Sequence, residues 1–288
     1  AAHLGAGLSL GRLKVVVFDE ADRLLQNESF GPDLDTITAA LPKHRQTLLF
    51  TATALQPDCP FLGTLRAPVH SFKVKSSTAT VATLRQEYAL MPSHVRYCYF
   101  VALVRELTDG GGAGSCIVFT STCQSCAELS LLLRELDIPC TALHSEMSQS
   151  DRLASLEKFR SNYVRVLVAT DVASRGLDIA PVRVVLNFNV PKAVDDYIHR
   201  VGRTARAGRG GRAVTLMSEH DIELIHAIEA KVGTRMEAYE GVREDEILKG
   251  LSKVNVARRA VSQKLIEMDF GVRKKKRRAR AKAQQRER

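Results

Sequence analysis

Two groups of charged residues in this sequence have the types and spacing to do chemistry. Asp19-Glu20-Ala21-Asp22 follows Val15-Val16-Val17-Phe18, so its carboxylates stand just past the C-terminal end of a strand-like apolar run. That end is where open parallel sheets bind ligands. An Asp placed there could hold Mg²⁺ through water, because the ion keeps most of its hydration shell and takes one or two carboxylates plus phosphate oxygens. Glu20 could then orient or deprotonate an attacking water. The same four residues also suit an acidic helix start, and on their own they leave both readings open.

Far downstream, the stretch from His199 to Arg209 holds Arg200, Arg203, Arg206 and Arg209 among small residues and glycines. Guanidinium groups are always charged and bind phosphate oxygens as a fork. Supplied from a second domain, they could stabilise the charge on a transferring γ-phosphoryl group. A solvated basic helix or a patch that binds RNA alone would not need the interleaved glycines. A third cluster, Thr170 to Ile179, follows another apolar run. Thr170 and the local backbone could grip a nucleic-acid phosphate, and Asp178 could accept from a ribose hydroxyl; an ordinary strand-to-loop connection fits equally well. Thr51-Ala52-Thr53, at the end of one more run, is weaker, since Thr-rich strand ends are common. Cys123 and Cys126 form the only C-x-x-C. With no second pair and no His at ligand spacing, they read as structural. His144 and His226 have no partner nearby in sequence and are assigned no chemistry.

These groups must be positioned by regular elements. Short runs rich in Val, Ile and Leu at residues 13–18, 47–50, 116–119, 164–169, 182–186 and 213–217 read as buried strands. Between several of them lie helix-period stretches at 94–107, 124–136, 149–159 and 221–231. Strand followed by helix, repeated, predicts an α/β fold with parallel sheets. A Pro- and Ser-marked stretch at 68–80 reads as a linker between a partial first domain (1–67) and a complete second one (81–234). Residues 235–271 read as a charged helical extension without strand pattern. The segment 272–288 reads as a basic tail, unstructured when free.

The net charge is +10, but the tail holds ten Lys/Arg against one Glu, so the rest of the chain carries about +1. Any nucleic-acid surface on the body must therefore be a local patch. Six scattered cysteines predict reduced thiols in an intracellular protein, and no apolar run reaches the length of a membrane span. The first residue is Ala1 with no start-like segment before the first strand, so the chain reads as cut from something longer.

The order of the motifs carries a resemblance. Asp-Glu-Ala-Asp at 19–22, Thr-Ala-Thr at 51–53, Ile-Val-Phe-Thr-Ser-Thr at 117–122, the 170–179 cluster and His-Arg-Val-Gly-Arg-Thr-Ala-Arg at 199–206 resemble, in that order, motifs of the DEAD-box RNA helicases. The resemblance spans about residues 13–231. It implies two RecA-like domains, ATP and Mg²⁺ in the cleft, and RNA across both. Residue by residue it implies Asp19 as the Mg²⁺-water ligand and Glu20 as general base. It further implies Asp22, Thr51, Thr53 and His199 as coupling residues, Asp178 as ribose contact with Gly176 beside the nucleotide, and Arg203 and Arg206 as γ-phosphate arginines. Thr120, Gln149, Arg152, Thr170 and Gly176 match the RNA backbone site. Wording around 169–178 and 254–259, with the basic tail, is similar to the subgroup called DEAD-box helicase forty-nine. That implies pre-ribosomal RNA as substrate and a nucleolar location in the nucleus; a protein activator as possible partner and a monomeric state are separate expectations.

Thr51 replaces the family's usual Ser, and Ala205 its usual Gly. These 288 residues contain no Gly-rich phosphate loop with its Lys and no adenine-reading Gln segment, so the chain is expected to be inactive as an ATPase by itself. Two function classes follow: an RNA-stimulated ATPase, or a non-catalytic RNA-binding adaptor. A DNA helicase is disfavoured by the RNA-type wording of the first and last motifs.

Overall fold

The computed structural model describes residues 4, 7–26, 31–51, 60–65, 68–73, 83–109, 114–174, 179–205, 210–241, 244–268 and 270. The chain divides between Lys75 and Ser76 into two compact units, each of which has its own sheet.

In the first unit, β1 (Val15–Phe18) leads to α1 (Ala21–Gln26) and α2 (Gly31–Ala39), and then to β2 (Gln46–Leu49). The two strands pair in parallel, Val15 beside Gln46 through Phe18 beside Leu49. Phe18 packs edge-on against Phe61 at 4.7 Å, and with Ala21 they form a small core. The expectation of a buried strand fails here, because Val15 and Val17 are 46% and 55% exposed. Alternate side chains of a strand point to opposite faces, and in this two-stranded sheet only the face of Val16 and Phe18 is packed.

The second unit holds seven parallel strands: β3 (Leu84–Leu90), β4 (Cys116–Thr120), β5 (Cys140–Leu143), β6 (Val166–Thr170), β7 (Val184–Asn187), β8 (Gly211–Met217) and β9 (Glu237–Ala238). Their order across the sheet is β5-β6-β4-β7-β8-β3-β9. Every residue of β4 through β7 is buried. Parallel strands covered on both faces call for such continuous apolar runs. One face packs on α3 (Arg96–Asp109), α4 (Cys123–Glu135) and the long α9 (Glu244–Glu267). The opposite face packs on α5 (Gln149–Arg160), α7 (Val194–Val201) and α8 (Ile222–Val232), while the four-residue α6 (Asp171–Ser174) leads off β6.

The stretch expected to lack strands contributes β9, whose two residues pair with Glu87 and Tyr88 of β3. Two residues are too short to show a period. Nor is the helix after it a separate extension. Ile247, Val254, Ala257, Val261 and Leu265 recur at helical spacing, and all are buried in the core of the second unit. Arg258 fastens this helix, its guanidinium 3.9 Å from the Tyr97 ring centre and its Nε 3.4 Å from Glu128 Oε1. Tyr97 donates its hydroxyl to Glu128 (3.1 Å), and burial together with that carboxylate pushes its pKa up to about 12.

Asp221 ties β8 to α3. Its Oδ2 accepts from the Ser218 amide (2.9 Å), the Ser218 hydroxyl (2.9 Å) and Arg96 (2.8 Å). Burial raises its pKa, but these partners outweigh burial and hold it below the usual 3.8. A carboxylate held low adds stability that is present at neutral pH and lost as pH falls through the folded value. Asp221→Asn should therefore cost about 1 kcal/mol at neutral pH, the range of a lost cap. Urea unfolding of both proteins should show that difference shrinking below pH 3.8; a gap constant with pH would contradict the assignment.

Candidate functional site

The chemistry-bearing residues gather at the C-terminal strand ends of each unit and in the turn after α7. In the first unit, Asp19 is exposed one residue past β1, and its Oδ1 accepts from the Glu20 amide (3.0 Å). Glu20 has φ +50, a left-handed conformation that costs a non-glycine residue on the order of 1 kcal/mol. That turn lets Ala21 start α1 and donate to the Phe50 carbonyl (2.9 Å), while the Phe50 amide donates to Phe18 (2.8 Å). Asp22, almost fully buried in the first turn of α1, and Thr51, exposed after β2, thereby share one sheet edge with Asp19 and Glu20. Thr53 lies outside the described residues.

In the second unit, the ends of three neighbouring strands form a polar row. Register places Thr120 of β4 beside Thr170 of β6. Leu143 of β5 pairs with Ala169, which puts His144 next to Thr170. All three are at least 94% buried. The Thr120 hydroxyl donates to the Thr122 carbonyl (3.3 Å), but Thr170 Oγ1 has no partner among the described residues. Close by on α5, Arg152 donates to Gln149 Oε1 (3.2 Å) and to the Ala173 carbonyl (3.4 Å), while its buried Nε is also unpartnered. A buried polar atom left without a bond costs about 1–3 kcal/mol, so these atoms mark a place built to receive something polar. Gly176 and Asp178 lie outside the described residues.

Sequence reading grouped Arg200 with the phosphate-binding arginines, but in the structure its donors are taken up inside the protein. Only 2% exposed, it forks onto Asp171 (2.6 and 2.8 Å) and donates to Asn187 Oδ1 (3.2 Å) and the Asn189 carbonyl (2.8 Å). Its guanidinium lies 5.4 Å from the Phe119 ring centre. Asn189 Oδ1 in turn accepts from the Ser121 amide (3.1 Å). The available signal was periodicity, because Tyr197, Arg200 and Val201 fall on one helical face and all three are buried.

Arg203 follows one turn later. It is mostly buried, and its carbonyl accepts from the Val182 amide (3.0 Å). The Thr204 hydroxyl donates to the Val182 carbonyl (2.7 Å). Ala205, where the resembling family has Gly, sits at φ +53. Gly211 passes so close that a Cβ there would lie 2.5 Å from the Ala205 nitrogen. His199 is half-buried beside this turn, and Arg206 lies outside the described residues.

The two cysteines behave as packing groups. Cys126 donates its thiol to the Val168 carbonyl (3.2 Å), and burial pushes its pKa up to about 12. Cys123 Sγ meets Ser145 Oγ at 3.3 Å. Among the described residues no group of three His, Cys, Asp or Glu could hold a metal, and no helix is long and apolar enough to cross a membrane.

Comparison with known proteins bears on this geometry. Residues 2–58 match the DEAD/DEAH box helicase family, and residues 99–208 match the helicase conserved C-terminal domain. The chain is 44% identical over 277 residues to the Homo sapiens protein named probable ATP-dependent RNA helicase DDX49, covering 92% of this chain and 55% of that one. It is 42% identical to ATP-dependent RNA helicase dbp8 of Schizosaccharomyces pombe, covering 93% of this chain and 60% of the relative. The chain thus spans somewhat more than half the length of these relatives. Among solved structures, S. cerevisiae Dbp5 bound to RNA and ADP BeF3 superposes with a TM-score of 0.74 at 26% identity, over 88% of this chain and 66% of that one. E. coli SrmB bound to the regulator of ribonuclease activity A covers 57% of this chain and 93% of that one, with 36% identity and a TM-score of 0.51.

Breaking a buried ion pair from one side leaves the other charge stranded, at about 3 kcal/mol or more. Asp171→Asn keeps the shape and removes the charge opposite Arg200. Its unfolding free energy in urea should fall by about 3 kcal/mol; a loss within about 0.5 kcal/mol, as for an ordinary surface change, would show that the fork contributes little.

Proposed function

The chain belongs to the DEAD/DEAH box helicase family, and from that premise we propose that it is part of an ATP-dependent RNA helicase that lays single-stranded RNA along the C-terminal strand ends of its second unit. The observation that carries this reading is the pair of buried atoms Thr170 Oγ1 and Arg152 Nε, which have no partner among the described residues. A hydroxyl and a guanidinium are donors suited to a phosphodiester oxygen, and phosphate contacts hold a strand without reading its bases. Thr120, Gln149 and Gly176 complete the backbone site in this reading. The name of the Dbp5 complex, which includes RNA, supports it.

On the nucleotide side, Glu20 serves as general base and Asp19 as the carboxylate facing hydrated Mg²⁺. A single exposed carboxylate at a strand end fits that ion, which prefers water and phosphate oxygens to an all-protein cage. When bound, Mg²⁺ would neutralise charge developing on the phosphates. Arg203 and Arg206 act on the γ-phosphate, Gly176 and Asp178 lie along the nucleotide, and Asp22, Thr51, Thr53 and His199 couple hydrolysis to release of RNA. The substrate we infer is pre-ribosomal RNA in the nucleolus, with the basic run 272–288 as both address and sequence-indifferent RNA grip. The protein acts as a monomer with a protein activator as partner; the name of the SrmB complex supports only that a protein of this family can carry a bound protein.

Two measurements test this. The 288-residue chain should show no RNA-stimulated ATP turnover, because in-line hydrolysis needs loop amides and a Lys on the β- and γ-phosphates, and its sequence contains no such loop. Turnover abolished by Glu20→Gln would overturn that expectation. The same chain should bind labelled single-stranded RNA, and Thr170→Ala or Arg152→Ala should each weaken binding about tenfold, as for a lost hydrogen bond to a charged group. Unchanged affinity in both variants would remove the strand ends as the RNA site.

A further inference from the structure

We propose that His144 is a third donor to the RNA backbone, beside Thr170, and that Phe270 at the end of the C-terminal helix positions its ring. This rests on the reading of the strand ends as an RNA site. The first observation is the row itself, in which His144 follows β5 at the level of Thr170 on the adjacent β6. The second is an orphaned atom, since the Nδ1 of His144 is buried without a partner among the described residues, like the neighbouring Thr170 hydroxyl. Two such atoms on adjacent strand ends are costly unless a ligand satisfies both.

The chemistry selects the ligand. Burial lowers the pKa of His144 against a weaker opposing pull from Glu146. The ring is thus neutral at physiological pH, with one nitrogen as donor and the other as acceptor. A protonated Nδ1 and the Thr170 hydroxyl can both donate to one phosphodiester oxygen. The ring is followed by the turn 144–147, in which Ser145 and Glu146 are exposed. Met147 donates its amide to the His144 carbonyl (3.2 Å), and the His144 amide has only the thioether of Met147 as acceptor (3.4 Å), a weak one.

The orientation of the ring comes from far away in sequence. Phe270 meets it edge to face, with centres 5.6 Å apart and planes at 78°. The Phe270 amide donates to the Leu265 carbonyl (3.1 Å), which folds this residue back from the end of α9. The C-terminal helix, buried against α3 and α4, thereby ends on the candidate nucleic-acid edge.

The test uses the 288-residue chain and a labelled oligouridine strand at fixed salt, with Thr170→Ala as reference. His144→Ala should weaken binding about tenfold. His144→Asn, whose amide nitrogen can take the place of Nδ1, should stay within about threefold, and Phe270→Ala should fall between. If Thr170→Ala weakens binding and His144→Ala does not, the role of His144 is overturned while the RNA site stands. If His144→Ala and His144→Asn weaken binding alike and both unfold at lower temperature, the residue is structural and the proposal fails. If none of the variants, Thr170→Ala included, changes affinity, the RNA reading itself falls.

Discussion

A single buried guanidinium constrains the second unit more than any other group. Taking Arg200 out of water costs several kcal/mol unless its donors are met, and the fold meets them from separate elements. Asp171 stands at the start of α6, directly after β6; Asn187 and Asn189 stand at the end of β7; Phe119 belongs to β4. These are also the immediate neighbours of Thr170 and Thr120, while Arg203 and His199 flank Arg200 itself. A shift in any one of the elements breaks a bond to a buried charge. The hydroxyls proposed for RNA and the arginine proposed for phosphate are therefore fixed in one frame by a residue whose own bonds are made within the protein.

What the sequence made legible follows from how each element is covered. β4, β6 and β7 stand out as apolar runs because both of their faces are packed, so each position must be hydrophobic. β3 escapes notice for the opposite reason. Gln86 and Glu87 interrupt its pattern, yet both are buried and have distant partners: Tyr197 of α7 donates to Gln86 (2.8 Å), and Arg212 of the neighbouring β8 forks onto Glu87 (2.5 and 3.0 Å). Partners more than a hundred residues away leave no local trace. β5 is four residues long, and α7 is hidden by the reading of its one arginine, Arg200, as a phosphate ligand.

The same distinction runs through the site. Asp19, Glu20, Thr170 and Arg152 were legible because their types and order repeat a known arrangement. His144 was not, because its only signs are three-dimensional: a neighbour on the next strand, an unsatisfied nitrogen and an aromatic ring 126 residues further along the chain. The helix that brings Phe270 there was recognisable as helical. Its membership in the core of the second unit depended on which of its faces found a partner.

Two non-glycine residues in left-handed conformations, Glu20 and Ala205, stand at the places proposed to handle phosphate. Such strain persists only where the surroundings over-determine the backbone. For Glu20, the bonds from Ala21 to Phe50 and from Phe50 to Phe18 lock the turn. For Ala205, the lock is Thr204 bonded to Val182 (2.7 Å) and Arg183 (3.1 Å), with Gly211 closing from the next strand. Glycine at 205 would relax that strain but add freedom to the backbone. Alanine keeps the turn narrower in its range, beside Arg203, whose carbonyl accepts from the Val182 amide.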